Sequence, residues 1–386
     1  MMKELAAMLL LLFCGLGMRA QVVLYADKFP GGDTGEKISK CIQALPESGG
    51  ICDARNFTGE QRSAAGFTVG AAAKPVQLLL GPITLVVSKP VVLQAKSSIV
   101  GLPSALGIGI AQGATVIKAG ANTNLAAVVQ IDGSLAALQD VTVDGNRKNN
   151  QGEGVGLLVN NASRAEIFRV TVQNAPGHGF EVFSKGASDS CCAKLQKVMA
   201  IANAKSGLYI LRTGDIMVSL SEFENNGQHG IEINGSAGIR VEHSDLGGNL
   251  GDGINLYGTP SLPSSNEIIL GNQFGNNHQA DIALTGYNGG YSSTGLLISS
   301  NQFVSGTYRD PGKYDAIRIV DSAYNVISGN SFFASHAHYY RSCVNLSGKR
   351  EKRDLVSNNN CQAAEAGGEA FIVTADTMFG ANQGAK

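Results

Sequence analysis

The sequence predicts an all-β solenoid, wound from short stacked coils behind one N-terminal helix. Three observations predict it. The chain has 386 residues, of which 49 are glycine and only 16% are charged, a composition that suits many turns and strands rather than helical bundles. Comparable strand starts recur at Gly156, Gly179, Gly207, Gly230, Gly253, Asp281 and Ala316, with spacings of 23, 28, 23, 23, 28 and 35 residues. Each start opens an alternation of apolar and polar residues, as in Ile231, Glu232, Ile233 and Asn234, the period of a strand with one buried face.

The elements follow in chain order. Lys3 precedes an apolar run from Leu5 to Leu16, with small residues near Ala20. This reads as a secretory signal peptide over 1–20, too short to span a membrane. The expected mature chain, 21–386, is one domain that is exported, either secreted or periplasmic. No later segment reads as a membrane span, and the charge balance of 30 basic to 31 acidic residues predicts no nucleic-acid partner. In "DTGEKISKCIQAL", Ile38, Cys41, Ile42 and Leu45 share one helical face, and Asp33 with Glu36 has capping-box spacing. The cap covers about 30–50. "GGICDAR", Gly49 to Arg55, then reads as the first strand. Regular coils run over about 76–361, and a C-terminal cap over about 362–386.

A base unit of 23 residues with loop insertions explains every spacing. One such unit cannot bury its apolar side alone, whereas stacked units about 4.8 Å apart can. Val172, Phe223, Leu246 and Phe274 hold equivalent places and are expected in one interior column. Asn174, Asn225 and Asn276 are expected as an asparagine stack at a turn.

Export makes disulfides available to the six cysteines beyond the signal segment. Among fifteen possible connectivities, the preferred pairs are Cys41–Cys52 and Cys343–Cys361, one near each end. Cys191 and Cys192 are either free or joined as neighbours. No His or Cys pair beside them has zinc spacing.

With these repeats the chain resembles the right-handed parallel β-helix proteins of the pectate-lyase-like (pectin lyase fold) superfamily. The resemblance implies that the N-terminal helix plugs the open end of the coil, covering unpaired strand edges. It also implies a carbohydrate-active protein.

The candidate site lies on the outward face of the "GIEI" strands. His178, Ser206, His229 and Asp252 immediately precede successive strands. Glu181, Tyr209, Glu232, Asn255 and Arg318 point outward within them. The expected acid–base residues are His229, Glu232, His178 and Asp252, since imidazole and carboxylate side by side can move a proton. Glu181, Tyr209, Asn255, Arg318, Tyr257, Tyr287 and Tyr291 are expected to bind substrate. Tyrosine would supply the stacking faces, because the chain has no tryptophan. Three insertions, "SKGASDSCCAKL", "YGTPSLPSSN" and "TGYNGGYSST", follow the same strand and would wall a cleft. Asp140, Asp144 and Asp281 are read as turn or solvated residues.

"GHG" at Gly177 to Gly179 resembles the histidine motif of polygalacturonase-like hydrolases. Those enzymes need paired aspartates one coil earlier, where this chain has Glu153 alone. Pectate lyases instead use a carboxylate-held calcium and a basic side chain. Here Glu181, Glu232 and Asp252 could hold calcium, and Arg318 or Arg212 could be the base. The expected function is binding and cleavage of an acidic, uronate-containing polysaccharide in a lyase-like or hydrolase-like manner. The alternative is a non-catalytic glycan-binding or adhesion module.

Overall fold

The computed structural model describes residues 21–103, 113–185, 190–258, 262–284, 293–306, 309–334, 339–348, 353–364 and 369–384. The expected signal segment, 1–20, lies outside them, as do Tyr287 and Tyr291. Three long parallel sheets of 14, 12 and 13 strands run the length of the molecule, with a two-stranded sheet beside them. Each coil contributes one strand to each long sheet. Ile231–Asn234 belongs to the 12-stranded sheet, called the front sheet below. Arg240–Glu242 enters the 14-stranded sheet and Asp245–Gly247 the 13-stranded one. Ile254–Tyr257 then returns to the front sheet, paired with Ile231–Asn234 in parallel.

Alternating sequence becomes alternating burial. In Ile231–Asn234 both isoleucines are fully buried and the residues between are not. Like residues stack between coils: Val172, Ala200, Phe223, Leu246, Phe274, Phe303 and Phe332 occupy successive rungs. The rings of Phe274, Phe303 and Phe332 lie parallel, with centroids 5.0 and 4.5 Å apart. The expected interior column is present, with Ala200 between Val172 and Phe223.

Helix α1, Thr34–Ala44, begins at Asp33, whose Oδ1 accepts the Glu36 N–H at 2.8 Å. Glu36 reaches back to the Gly32 N–H, also at 2.8 Å. Ile38, Cys41, Ile42 and Leu45 are buried. A Cβ on Gly35 would stand 1.9 Å from Ser63 Oγ, so the helix packs hard against strand Gly59–Ser63. Cysteines 41 and 52 pair beneath it, Cys343 pairs with Cys361, and Cys191 pairs with its neighbour Cys192.

Three expectations are corrected. The first strand is Val23–Tyr25, which precedes the helix and pairs in parallel with Gly50–Ala54. Three residues are too few to show a period in sequence. The asparagine stack lies one residue later than expected. Asn174, Asn225 and Asn276 take left-handed backbone angles at the corner (φ 52°, 54° and 60°), alternating with Ala202 and Gly248. The bonded ladder is Asn203–Asn226–Asn249–Asn277, each amide donating to the next carbonyl at 2.9–3.0 Å. A second ladder joins Asn272, Asn301, Asn330, Asn359 and Asn382. Finally, Asp140, Asp144 and Asp281 are buried, not solvated, although Asp140 does hold a turn, with left-handed backbone (φ 57°). Asp140 is paired with Arg169 at 2.5 Å, and Asp144 accepts from Asn146 N and Gln173 Nε2.

Asp281 ends the first ladder. It accepts from Asn277 Nδ2 at 2.7 Å and from the Tyr340 hydroxyl at 2.5 Å. Burial pushes its carboxyl up to about 7 from 3.8, against both donors. Between those values the folded chain keeps a proton that the unfolded chain has released. Its contribution to stability is therefore present at low pH and falls as pH rises through that window. The Asp281→Asn protein should show a shallower loss of melting temperature than wild type from about pH 4 to 7. An unchanged slope would assign the dependence to other groups.

Candidate functional site

On the front sheet Glu181, Tyr209, Glu232, Asn255, Ala283 and Arg318 are in register, one per rung. The residue before each strand is presented by a tight corner. A Cβ on Gly230 would lie 2.7 Å from the Gly253 carbonyl and 2.9 Å from the Asn249 amide of the ladder. Only glycine lets the strand lie this close to the ladder, and His229 just before it turns outward, 22% exposed.

Glu232 is the centre. Ser206 Oγ donates to its Oε2 at 2.6 Å, and the Tyr257 hydroxyl donates to its Oε1 at 2.5 Å. Burial, then the Glu232 carboxylate, raises the Tyr257 phenol far above its ordinary value, so it stays a donor. Asn234 Nδ2 donates to the Tyr209 hydroxyl at 3.1 Å. The Tyr209 ring stacks on His178, with centroids 4.7 Å apart and planes 20° apart. Burial pushes the His178 imidazole down to about 4. The charges of Glu232 and Glu153 oppose that shift, and Lys205 adds to it. At neutral pH the ring is therefore uncharged, and its Nδ1 is buried with no protein partner. Glu181, three residues on, is raised by burial and by Glu232, with Lys205 opposing. A carboxyl raised above its ordinary value and an imidazole lowered below its own thus stand three residues apart, the kind of divergence by which one site separates acid and base roles.

His229 and Asp252 are also neighbours. The Asp252 N–H donates to His229 Nδ1 at 3.0 Å, and Asp252 Oδ2 lies 3.2 Å from the same nitrogen. One nitrogen cannot serve both. Without a proton on Nδ1 the ring accepts from that N–H, and with a proton there, in the neutral Nδ1–H tautomer or the cation, it would donate to the carboxylate. Asp252 is 4% exposed, and its oxygens accept from Asn255 Nδ2 and Ala280 N. It therefore orients His229 and supports the next coil.

The structure thus gathers His178, Glu181, Tyr209, Glu232 and Tyr257, with His229, Asp252 and Asn255 adjoining. It does not bring in Arg318, which is exposed three rungs beyond Glu232. Arg212 is the left-handed residue that closes strand Leu208–Leu211. The second and third insertions meet where Ser264–Ser265 pairs with Ser293–Thr294. Among the described residues no three His, Cys, Asp or Glu side chains are grouped to hold a metal. The oxygens of Glu232 and Asp252 already accept from Ser206, Tyr257, Asn255 and Ala280. The donor set therefore does not fit a calcium cage. Sequence reasoning does not find Lys205, which forms a 2.7 Å ion pair with Glu153 beside this cluster. Its position just before Ser206 in the histidine column was the available signal.

A family model described as "Right handed beta helix region" matches residues 155–332. No curated protein matches the chain in sequence. Among solved structures, the mannuronan C-5 epimerase AlgE6 A-module of Azotobacter vinelandii superposes with a TM-score of 0.67 at 16% identity, covering 94% of this chain and 100% of its own. The Dettilon tailspike protein gives 0.66 at 14% identity, over 92% and 70%. DFA-IIIase from Arthrobacter chlorophenolicus A6, in complex with GF2, gives 0.62 at 12% identity, over 92% and 97%. At such identities the likeness is one of fold. Together with the three parallel sheets, it gives this chain the right-handed parallel β-helix fold.

Proposed function

We propose that this chain is an exported protein that binds and cleaves an acidic, uronate-containing polysaccharide on the front sheet. One observation carries the reading: the uncharged His178 imidazole is stacked on Tyr209, whose strand position pairs with Glu181 on one rung and with the hydroxyl-clasped Glu232 on the next. A neutral imidazole can accept a proton, and a raised carboxyl can deliver one to a departing sugar oxygen. In a lyase-like reaction the base removes the proton beside the uronate carboxyl, the glycosidic bond breaks, and an unsaturated end remains. In a hydrolase-like reaction water supplies the new hydroxyl. The names of the similar structures, an epimerase of mannuronan among them, support a carbohydrate polymer as ligand. Export is supported by the signal-like N-terminus and the three disulfides.

The mature protein should be incubated with a panel of uronans and neutral glycans, with calcium and with chelator, following unsaturated and reducing ends separately. Unsaturated ends identify a lyase, and reducing ends without them identify a hydrolase. A second reading, a non-catalytic glycan binder, is favoured by the engaged oxygens of Glu232 and Asp252. Retained binding with neither product would establish it and end the catalytic proposal.

A further inference from the structure

We infer that Lys205 is the carboxylate-recognising cation of this face, and that Glu153 masks it by occupying the place of the substrate's own carboxylate. The inference rests on the uronate reading above and adds to it a specificity residue and an internal competitor.

The two residues belong to coils two rungs apart, bridged at Gly177. Its N–H donates to the Gly154 carbonyl at 2.8 Å, and its carbonyl accepts the Lys205 N–H at 3.0 Å. The pair is asymmetric. The Lys205 side chain is 27% exposed and the Glu153 side chain 76%, yet their charged atoms meet at 2.7 Å. The cation is thus anchored against the sheet, whereas the acid reaches it from solvent. Lys205 also acts on both His178 and Glu181, lowering each. It therefore lies within electrostatic reach of the acid–base cluster, where a uronate ring held for reaction would bring its carboxylate.

An ammonium ion within electrostatic reach of His178 and Glu181, paired among the described residues only with Glu153, is poorly explained as a stability device, because an ion pair with so exposed a partner holds weakly. It is well explained as a receptor for an anion. A uronate carboxylate would take the position of the Glu153 carboxylate, which swings into water. The exchange trades one carboxylate for another at the same ammonium, so it costs little charge desolvation. A neutral sugar could not displace Glu153 and would leave Lys205 closed. Discrimination against neutral polymers would follow from this competition as well as from attraction.

Binding of polygalacturonate and alginate, and of the same polymers after carboxyl reduction, should be measured for wild type, Glu153→Gln, Lys205→Gln and the double variant. Melting temperatures would confirm that each is folded. Glu153→Gln should bind the uronan about 2- to 5-fold more tightly, the range set by a weak exposed pair, and should leave the reduced polymer unaffected. Lys205→Gln should lose about 10-fold or more in uronan affinity, and adding Glu153→Gln to it should restore nothing. Wild-type uronan binding with equal affinity in Glu153→Gln would overturn the masking role and leave the uronate reading standing. Equal tightening on the reduced polymer would overturn it too. Failure of every variant to bind any uronan would overturn both.

Discussion

Asn249→Ala should destabilise the solenoid by about 2 to 6 kcal/mol, from two buried groups each losing a partner at roughly 1–3 kcal/mol. Asn249 is fully buried. Its Oδ1 accepts from both the backbone N–H and the side-chain amide of Asn226, at 3.1 and 3.0 Å. Its Nδ2 donates to the Phe223 carbonyl at 2.9 Å and to Asn277 Oδ1. Alanine leaves the Asn226 N–H without its partner in the core and strips the mid-strand Phe223 carbonyl of its side-chain donor. It also breaks the ladder at its third member. Asn225→Ala supplies the comparison. That side chain is exposed at a left-handed corner (φ 54°), where the equivalent residue one coil earlier is already Ala202. Its loss should cost only about 1 kcal/mol, the alanine penalty for left-handed backbone. Thermal melting of the two variants measures the difference. Equal losses would mean that the buried amides do not hold the coils together. Because coils interact chiefly with their neighbours, the Asn249→Ala transition should also broaden, with the middle coils opening first.

The contrast between these neighbouring asparagines shows how far the sequence could be read. "NN" at 225–226 marks a corner, and the repeat spacing correctly gives one corner per coil. Which amide enters the core depends on where the chain turns left-handed, and both residues have the same side chain. Alanine and glycine at 202 and 248 were the available clue. A continuous ladder cannot pass through residues without amides, whereas the next position is Asn at 203, 226, 249 and 277. Val23–Tyr25 escaped for another reason, since a three-residue edge strand is defined by its partner Gly50–Ala54 and carries no period of its own. The buried aspartates escaped because burial of charge depends on partners distant in sequence. Arg169 lies 29 residues from Asp140, and Tyr340 lies 59 from Asp281.

The site was legible as columns and illegible as bonds. Register follows from the 23-residue unit, and the expected outward order from Glu181 through Tyr209, Glu232 and Asn255 to Arg318 is the order found. Which side chains lean across a rung is a matter of side-chain geometry. Tyr257 turns back to Glu232, and Asn255 turns to Asp252 within its own coil. Sequence position therefore could not separate a carboxylate that faces substrate from one that fixes the fold. Lys205 shows the same limit, because its partner Glu153 is brought near only by two turns of the coil.

Glu232→Gln should reduce any cleavage activity by about 100-fold or more, the scale of one lost acid–base group, while leaving the chain folded. Glutamine keeps the size of the side chain, and its carbonyl can still accept from Ser206 or Tyr257. The remaining hydroxyl can rotate to accept from the new amide, so no buried donor need be orphaned. What disappears is the negative charge. Two consequences follow from the causes acting on its neighbours. Glu232 raises His178, so its loss depresses the imidazole further. Glu232 also raises Glu181, so its loss lets that carboxyl release its proton more readily. The acidic limb of the rate–pH profile, set by protonation of the imidazole, should therefore move to lower pH in whatever residual activity is measured. The alkaline limb, set by ionisation of Glu181, should move the same way. Glu222→Gln, on the 13-stranded sheet away from the front face, is the matched control, since it removes one carboxylate and should leave both rate and profile unchanged. Full activity in Glu232→Gln, or residual activity with both limbs unmoved, would show that the reaction does not run through this carboxylate.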